Sequence, residues 1–356
     1  RSGSHRRFYG YRPGDSSSWF IWGKGMMNKI MHGILWVALI GILAIFPKIF
    51  GVYYTNVFVT FAVFAVLSVS LNLLIGYTGL LSFGHAMFFG AGGYGTALAL
   101  KHIEGLSLLP AFGIGVLSAM LLAMILCPLV VRVSGTAFAM LHLAFAQLMY
   151  VLALKLRGIT GGEDGIGNFP IPAFTIPGVV SFDMKGAPEN FYYFAIIVLG
   201  ISVWLMWFFT KTPFGQIQVG IRDNFKRIDY LGFKVPHTKA VIYIVAAAFA
   251  GVAGSVYAIF HNLVSADGSL GVAVSFAPII NIMIGGVGSF LGPIWGTAIF
   301  QIIEEVVLRF TDRVELVIGV TLVLVILFAP MGFSGMITML KQRWFSASSH
   351  KLEKIS

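Results

Sequence analysis

Runs of about 20 apolar residues recur along this chain, and about 20 residues is the length a helix needs to cross a bilayer core of about 30 Å. Ten such segments can be laid down, at about 30–50, 54–76, 82–101, 106–131, 136–156, 191–210, 239–262, 272–287, 290–309 and 314–331, the third and eighth being the weakest. Composition agrees: 58% of residues are hydrophobic and only 11% charged, where a soluble domain carries roughly a quarter charged. The expected fold is therefore all-α, a polytopic integral membrane protein of about ten transmembrane helices.

A net charge of +10 would suggest nucleic acid as partner in a soluble chain, but here the position of each charge decides. Threading the spans puts the N-terminus, Arg132, the 211–239 segment and the C-terminal tail on one side. That side holds most of the Lys and Arg, among them Arg222, Lys226, Arg227, Lys234 and Lys341. The other side holds Glu104, Glu163, Asp164, Asp183, Glu189, Asp267, Asp312 and Glu315. Lysine and arginine accumulate in cytoplasmic loops, so both termini are expected in the cytoplasm and no nucleic-acid partner is needed. Residues 1–29 read as a basic cytoplasmic segment, disordered in part, 30–335 as the membrane domain, and 336–356 as a cytoplasmic tail. Ile30–Phe46 lacks a small-x-small cleavage site before Pro47 and reads as an uncleaved anchor. Cys127 is the single cysteine, which excludes an internal disulfide and a cysteine metal cluster.

Two glycine-rich segments fall where spans should be: "IGYTGLLSFGHAMFFGAGGYG", residues 75–95, and "IGGVGSFLGPIWG", residues 284–296. Glycine costs about 1 kcal/mol against alanine inside a helix, so both predict broken helices or very close helix packing. Non-helical backbone survives at membrane depth only inside protein or along a watery cavity, and paired broken segments mark a transporter's pathway. Asn72, Ser82, Gly84, His85, Gly92, Asn281, Gly285, Gly286 and Gly288 are the candidate path residues on this reading. Small-residue packing is the competing reading, with Gly90, Gly93 and Ala97 as its natural members. His142 and Gln147 are further polar residues at depth, each able to bond a neighbouring helix.

Enzymatic signatures are missing from the sequence. Gly90-x-Gly92-x-x-Gly95 matches a dinucleotide fingerprint only formally, since no βαβ pattern surrounds it. No phosphate-binding Gly-x-x-x-x-Gly-Lys-Ser/Thr loop occurs, so any ATP-driven role requires another subunit. His85, His142 and His261 are too far apart for a metal motif, and neither a cofactor nor a metal is expected. Glu304 and Glu305 come late in the ninth segment, and carboxylates at that depth are functional candidates. Arg309 lies four residues beyond Glu305, which favours an interfacial ion pair over a proton relay.

The 211–239 segment, "KTPFGQIQVGIRDNFKRIDYLGFKVPHTK", carries Ile217, Ile221, Ile228, Leu231 and Phe233 at helical spacing and predicts a short amphipathic helix-turn-helix ended by Gly232 and Pro236. A basic amphipathic helix can lie on anionic lipid. The mixed charges of Arg222, Asp223, Asn224 and Asp229 suit a protein groove better. On the other side, the 157–190 loop is too long and too rich in Gly and Pro for a simple connection, and Gly161-Gly162-Glu163-Asp164 is its most specific turn, a candidate docking surface.

Taken together, "LNLLIGYTGLLSFGHAMFFGAGGYG", "GITGGEDGI", "TPFGQIQVGIRDNFKRIDYLGFKV" and "MIGGVGSFLGPIWGTAI" resemble the membrane permease subunits of bacterial branched-chain amino-acid ABC importers, in their longer form, from about residue 54 to residue 335. Permeases for urea and for aromatic carboxylates are similar over these stretches. The resemblance implies a transport subunit of the inner membrane, not an enzyme. Its partners would be a homologous second permease, two cytoplasmic ATPase subunits and an extracytoplasmic solute-binding protein. The 211–239 segment would be the element that couples to the ATPase, with Gly215, Arg222, Asp223, Asn224, Leu231 and Gly232 matching the family pattern and Asp229 beside them. Arg227 and Ile228 stand where the family usually has a small Ala-Ala pair, and Tyr230 where Ala is common. The solute would be a branched-chain amino acid or a related small polar molecule. The rival is an ion-coupled secondary transporter or channel that uses Glu304 and Glu305 and needs no ATPase. A purely structural scaffold gives no reason for the paired glycine segments.

The threading is tested by reporter fusions: a phosphatase active only outside the cytoplasm should be active when fused after residue 170 and silent after residue 225. The opposite pattern would invert the topology.

Overall fold

The computed structural model describes residues 16–176, 180–182, 188–310 and isolated positions between 316 and 335. In chain order the elements are α1 (Ser16–Thr78), α2 (Ala86–His102), α3 (Leu108–Val130), α4 (Thr136–Lys155), α5 (Arg157–Thr160), β1 (Ile166–Gly167), β2 (Phe174–Ile176), β3 (Val180–Phe182), α6 (Pro188–Lys211), α7 (Pro213–Tyr230), α8 (Val235–His261), β4 (Leu263–Val264), α9 (Ala266–Leu270), α10 (Val272–Gly285) and α11 (Gly292–Val307). The fold is all-α with two short antiparallel ladders, β1 with β4 and β2 with β3. Nine of the ten predicted segments coincide with helices among these; the last, 314–331, lies mostly outside the described residues.

Among the described residues, six stretches are long and apolar enough to cross a membrane: Gly41–Thr78, Leu108–Val130, Thr136–Lys155, Glu189–Lys211, Val235–His261 and Ala266–Gly285. The first two predicted segments run together in α1, where Gly51, at φ 74° and ψ 176°, is the non-helical residue between them. The chain divides at this point into two compact units, residues 1–55 and 56–356. Within the first, Phe46 and Phe50 stack at 4.6 Å and the Thr55 hydroxyl donates to the Gly51 carbonyl at 2.8 Å. The two weak segments are short helices: α2 has 17 residues and α10 has 14.

The core of the second unit is the packing of α2, α3 and α8, and small residues set its spacing. A Cβ on Gly92 would strike the Gly251 backbone, one on Gly254 the Phe89 backbone, and one on Gly115 the Thr96 and Ser255 hydroxyls. Without a hydrophobic driving force between helices in lipid, such close approach gains dispersion and short polar contacts. Ser255 Oγ donates to the Gly92 carbonyl at 3.2 Å and Ser118 Oγ to the Ala91 carbonyl at 2.6 Å. The second half of the 75–95 segment is thus a regular helix whose glycines serve packing, and the break is confined to residues 79–85. Gly90, Gly92 and Gly95 all lie within α2, which rules out the strand-turn-helix context of a dinucleotide site.

One boundary differs from the sequence reading. Pro236 does not end the 211–239 helices; it sits in the first turn of α8, where proline lacks only an amide that would be unpaired anyway. On the face opposite α7, β1 pairs Ile166 with Val264 and Gly167 with Leu263, so the 157–167 loop and the 263–264 turn are joined at one end of the molecule.

Replacing Gly92 with valine should destabilise the protein by about 1–3 kcal/mol through overpacking, read as a lower unfolding temperature in detergent. Gly113→Ala is the control, since nothing lies within 4 Å of a Cβ there; it should leave stability unchanged or raise it by up to about 1 kcal/mol.

Candidate functional site

The α7 segment is built by capping. Thr212 accepts from the Gly215 amide at 3.4 Å and Pro213 occupies the first turn, so the helix starts sharply after α6. Any side chain at 215 would collide with the Phe209 and Thr210 carbonyls. At Asn224 the backbone leaves helical geometry, with φ −160° and ψ 94°, and the Asn224 Oδ1 accepts from the Arg227 amide at 3.1 Å. Asn224 therefore caps a second short helix. That helix closes at Gly232, φ 87°, with the Phe233 amide bonded to the Ile228 carbonyl at 3.3 Å and the Gly232 amide to the Asp229 carbonyl at 2.9 Å. The predicted helix-turn-helix is present, and Gly215, Asn224 and Gly232 shape it.

What this hairpin shows to solvent is more apolar than the sequence reading named. Phe214, Phe225, Tyr230, Leu231 and Phe233 are exposed, Tyr230 at 88%, and stand among Asp223, Lys226, Arg227 and Asp229, which are exposed too. Their exposure could not be told from helical spacing alone, because the break at Asn224 shifts the phase of everything after it.

Arg222 points the other way, into the membrane unit. Its Nη1 donates to the Gly76 carbonyl at 2.7 Å, and its Nε donates to Asp223 Oδ1 at 3.1 Å. Gly76 lies in the last turn of α1, whose carbonyls have no partner within the helix and carry partial negative charge. Gly79, φ 74°, ends that helix in the left-handed conformation. A Cβ at 79 would lie 3.1 Å from Arg222 Cγ, and one at 288 would lie 3.4 Å from its Nη1. A Cβ at 76 would meet the Gly288 amide nitrogen at 2.9 Å. The two breaks, 79–85 and 286–291, therefore meet beside one guanidinium.

Asn72, Asn281, Gly285, Gly286 and Gly288 are brought together along α1, α10 and α11. Asn72 Nδ2 donates to the Ser289 carbonyl at 3.0 Å, and Asn281 Nδ2 donates to Ser68 Oγ at 3.0 Å. Thr297 Oγ1 also reaches Ser68 Oγ, at 3.3 Å. Positions 285 and 292 touch backbone to backbone, as do 281 and 296. Gly84 and His85 have other neighbours, and Ser82 precedes them in the break. His85 Nε2 lies 2.9 Å from Ser70 Oγ, and a Cβ at Gly84 would strike the His142 carbonyl. His142 Nε2 in turn lies 2.9 Å from the Tyr243 hydroxyl. Gly92 is apart from both groups, in the α2–α8 contact. All four polar candidates, Asn72, Ser82, His85 and Asn281, are buried, and Asn72 Oδ1, Ser82 Oγ, His85 Nδ1 and Asn281 Oδ1 have no hydrogen-bond partner among the described residues. Ser68, Ser70, Tyr243 and Thr297 are the partners the sequence reading missed. Ser68 and Asn72 are one turn apart and share a helix face, which is the signal that was available.

At the opposite end, Gly161, Gly162 and Gly165 all have positive φ, 77°, 66° and 72°, and make the tight turn that presents Glu163 and Asp164 to solvent. Arg157 reaches Glu163 at 3.9 Å, both side chains well exposed. Glu305 pairs with Arg309 at 3.6 Å, the i, i+4 ion pair expected from the sequence.

Over residues 53–329 the chain matches the family described as branched-chain amino acid transport system / permease component. It is 27% identical over 293 residues to the high-affinity branched-chain amino acid transport system permease protein LivM of Escherichia coli (strain K12), covering 77% of this chain and 68% of that protein. It is 25% identical over 298 residues to the probable branched-chain amino acid transport permease protein LivM of Methanocaldococcus jannaschii, covering 73% and 83%. The probable LivH of the same organism is 24% identical over 306 residues, covering 80% and 90%. No solved structure matches the chain.

Ser68→Ala removes the acceptor for Asn281 and the partner of Thr297, and should lower stability by about 1 kcal/mol, measured by thermal unfolding in detergent. An unchanged transition would mean that the α1–α10–α11 contact does not depend on this polar seam.

Proposed function

Because the chain belongs to the permease family of branched-chain amino acid transport systems, we propose that it is one of two membrane subunits of an ATP-driven importer in the bacterial inner membrane. A homologous permease is its partner in the bilayer, two ATPase subunits bind it from the cytoplasm, and a solute-binding protein delivers the solute from outside. The solute is a branched-chain amino acid or a related small polar molecule. Both termini lie in the cytoplasm.

The α7 hairpin is the observation that carries this reading. A charged segment with Phe225, Tyr230, Leu231 and Phe233 exposed fits a protein groove, since aromatic anchors ringed by charge are the usual makings of a protein interface. The groove belongs to an ATPase subunit. Closure of the ATPase pair on ATP moves the hairpin, and packed helices answer by switching between discrete arrangements. The two breaks are where such switching has the least helix to disrupt. The solute crosses between the two permeases near them, with half-helix ends offering backbone dipoles to a carboxylate. The Glu163–Asp164 turn is the docking face for the binding protein. An ion-coupled carrier working through Glu304 and Glu305 draws no support from Glu305, which is held by Arg309.

Co-purification of the tagged chain from its native membrane, with mass spectrometry and an ATP hydrolysis assay, tests the reading. Two ATPases and a second permease should be recovered. Tyr230→Asp together with Leu231→Asp should lower the ATPase yield about tenfold or more, as loss of interface hot spots does, while the second permease stays bound. Recovery of this chain alone would overturn the importer.

A further inference from the structure

The Arg222 contacts lie apart from the proposed ATPase-docking face. The outward face of α7 carries aromatic side chains, whereas Arg222 turns back to the Gly76 carbonyl at 2.7 Å. One nitrogen of the fork is held by Asp223 on its own helix and the other by the end of α1. The planar guanidinium can serve both at once because its donors diverge in a fixed geometry; a lysine ammonium carries its three donors on one nitrogen and holds two separated acceptors less well. Three glycines clear the space. Side chains at 76, 79 and 288 would each press on this junction, the last two directly on Arg222. Asn72 then ties α1 to the second break through the Ser289 carbonyl.

We propose that Arg222 is a latch: a positioning residue that fixes the end of α1 and the 286–291 break to the coupling hairpin, so that displacement of α7 is passed to both breaks. The proposal rests on the importer reading for what moves α7, but the latch is a property of this chain alone. Its contact is strong because the donor is charged and the acceptor is an orphan carbonyl at the negative end of a helix. It is also releasable, because Arg222 keeps 38% of its side chain in solvent and a water or an approaching carboxylate can take over the guanidinium.

Two measurements on the full chain separate the latch from the importer reading. First, a single cysteine is placed at Ser289 in a Cys127→Ala background, and its labelling by a membrane-impermeant maleimide is timed in the purified protein. Arg222→Ala should speed labelling about fivefold or more, the size of a modest coupling between sites, and Arg222→Lys should fall between. Equal rates in all three would overturn the latch whether or not ATPases are ever found. Second, in the complex reconstituted into vesicles, Arg222→Ala should keep its ATPases and its ATP hydrolysis while solute uptake per ATP falls about tenfold. Loss of the ATPases from the Arg222→Ala complex, or a parallel fall in hydrolysis and uptake, would make Arg222 a docking or folding residue and overturn the latch. Failure of the wild-type chain to bind ATPases would refute the importer and leave the labelling result to decide the latch.

Discussion

An unpaired carbonyl or amide costs far more inside a bilayer than in water, and this constraint governs everything unusual in the molecule. A chain may interrupt its helices at membrane depth only if each interruption is given partners. Here the end of α1 receives the guanidinium of Arg222, the 286–291 break receives the amide of Asn72, and the start of α2 is held against Ser70 through His85. The glycines come second in this logic. They make room so that the partners can arrive.

The fold was legible because its governing signal is long-range and crude. Nine apolar runs fall within helices, the first two sharing α1, since crossing a bilayer demands apolar helical stretches. The end of the α7 hairpin at Gly232 was legible too, whereas the cap at Asn224 was not, since asparagine there read only as part of a polar surface. The reach of Arg222 was not legible, because its contact to Gly76 joins positions 146 residues apart and no periodicity connects them. For the same reason the two glycine segments could be paired by composition but not by contact. The 75–95 segment also concealed two different uses of glycine. Gly79 turns the chain, whereas Gly92 lets two helices touch, and composition cannot tell these apart.

The candidate path residues divide along the same line. Asn72 and Asn281 each give one amide hydrogen to a neighbour and keep an oxygen without one, buried within a single chain. A polar atom in that state is held in reserve: any rearrangement that brings it a donor is favoured by the interaction it has so far lacked. The seam between α1, α10 and α11 thus has something to gain from a small rearrangement. The α2–α3–α8 contact is held instead by close backbone approach at Gly92, Gly115 and Gly254.

The helix α8 begins a few residues after the α7 hairpin and ends at β4, whose ladder with β1 holds the Glu163–Asp164 turn. Its 27 residues make a rod of about 40 Å. Both protruding surfaces of the molecule are therefore mounted on one stiff member, and Gly251 and Gly254 seat its middle against α3 and α2. A rod pinned at its centre is a lever. A push on the α7 hairpin at one end would reach the Glu163–Asp164 turn at the other without passing through the seam of α1, α10 and α11.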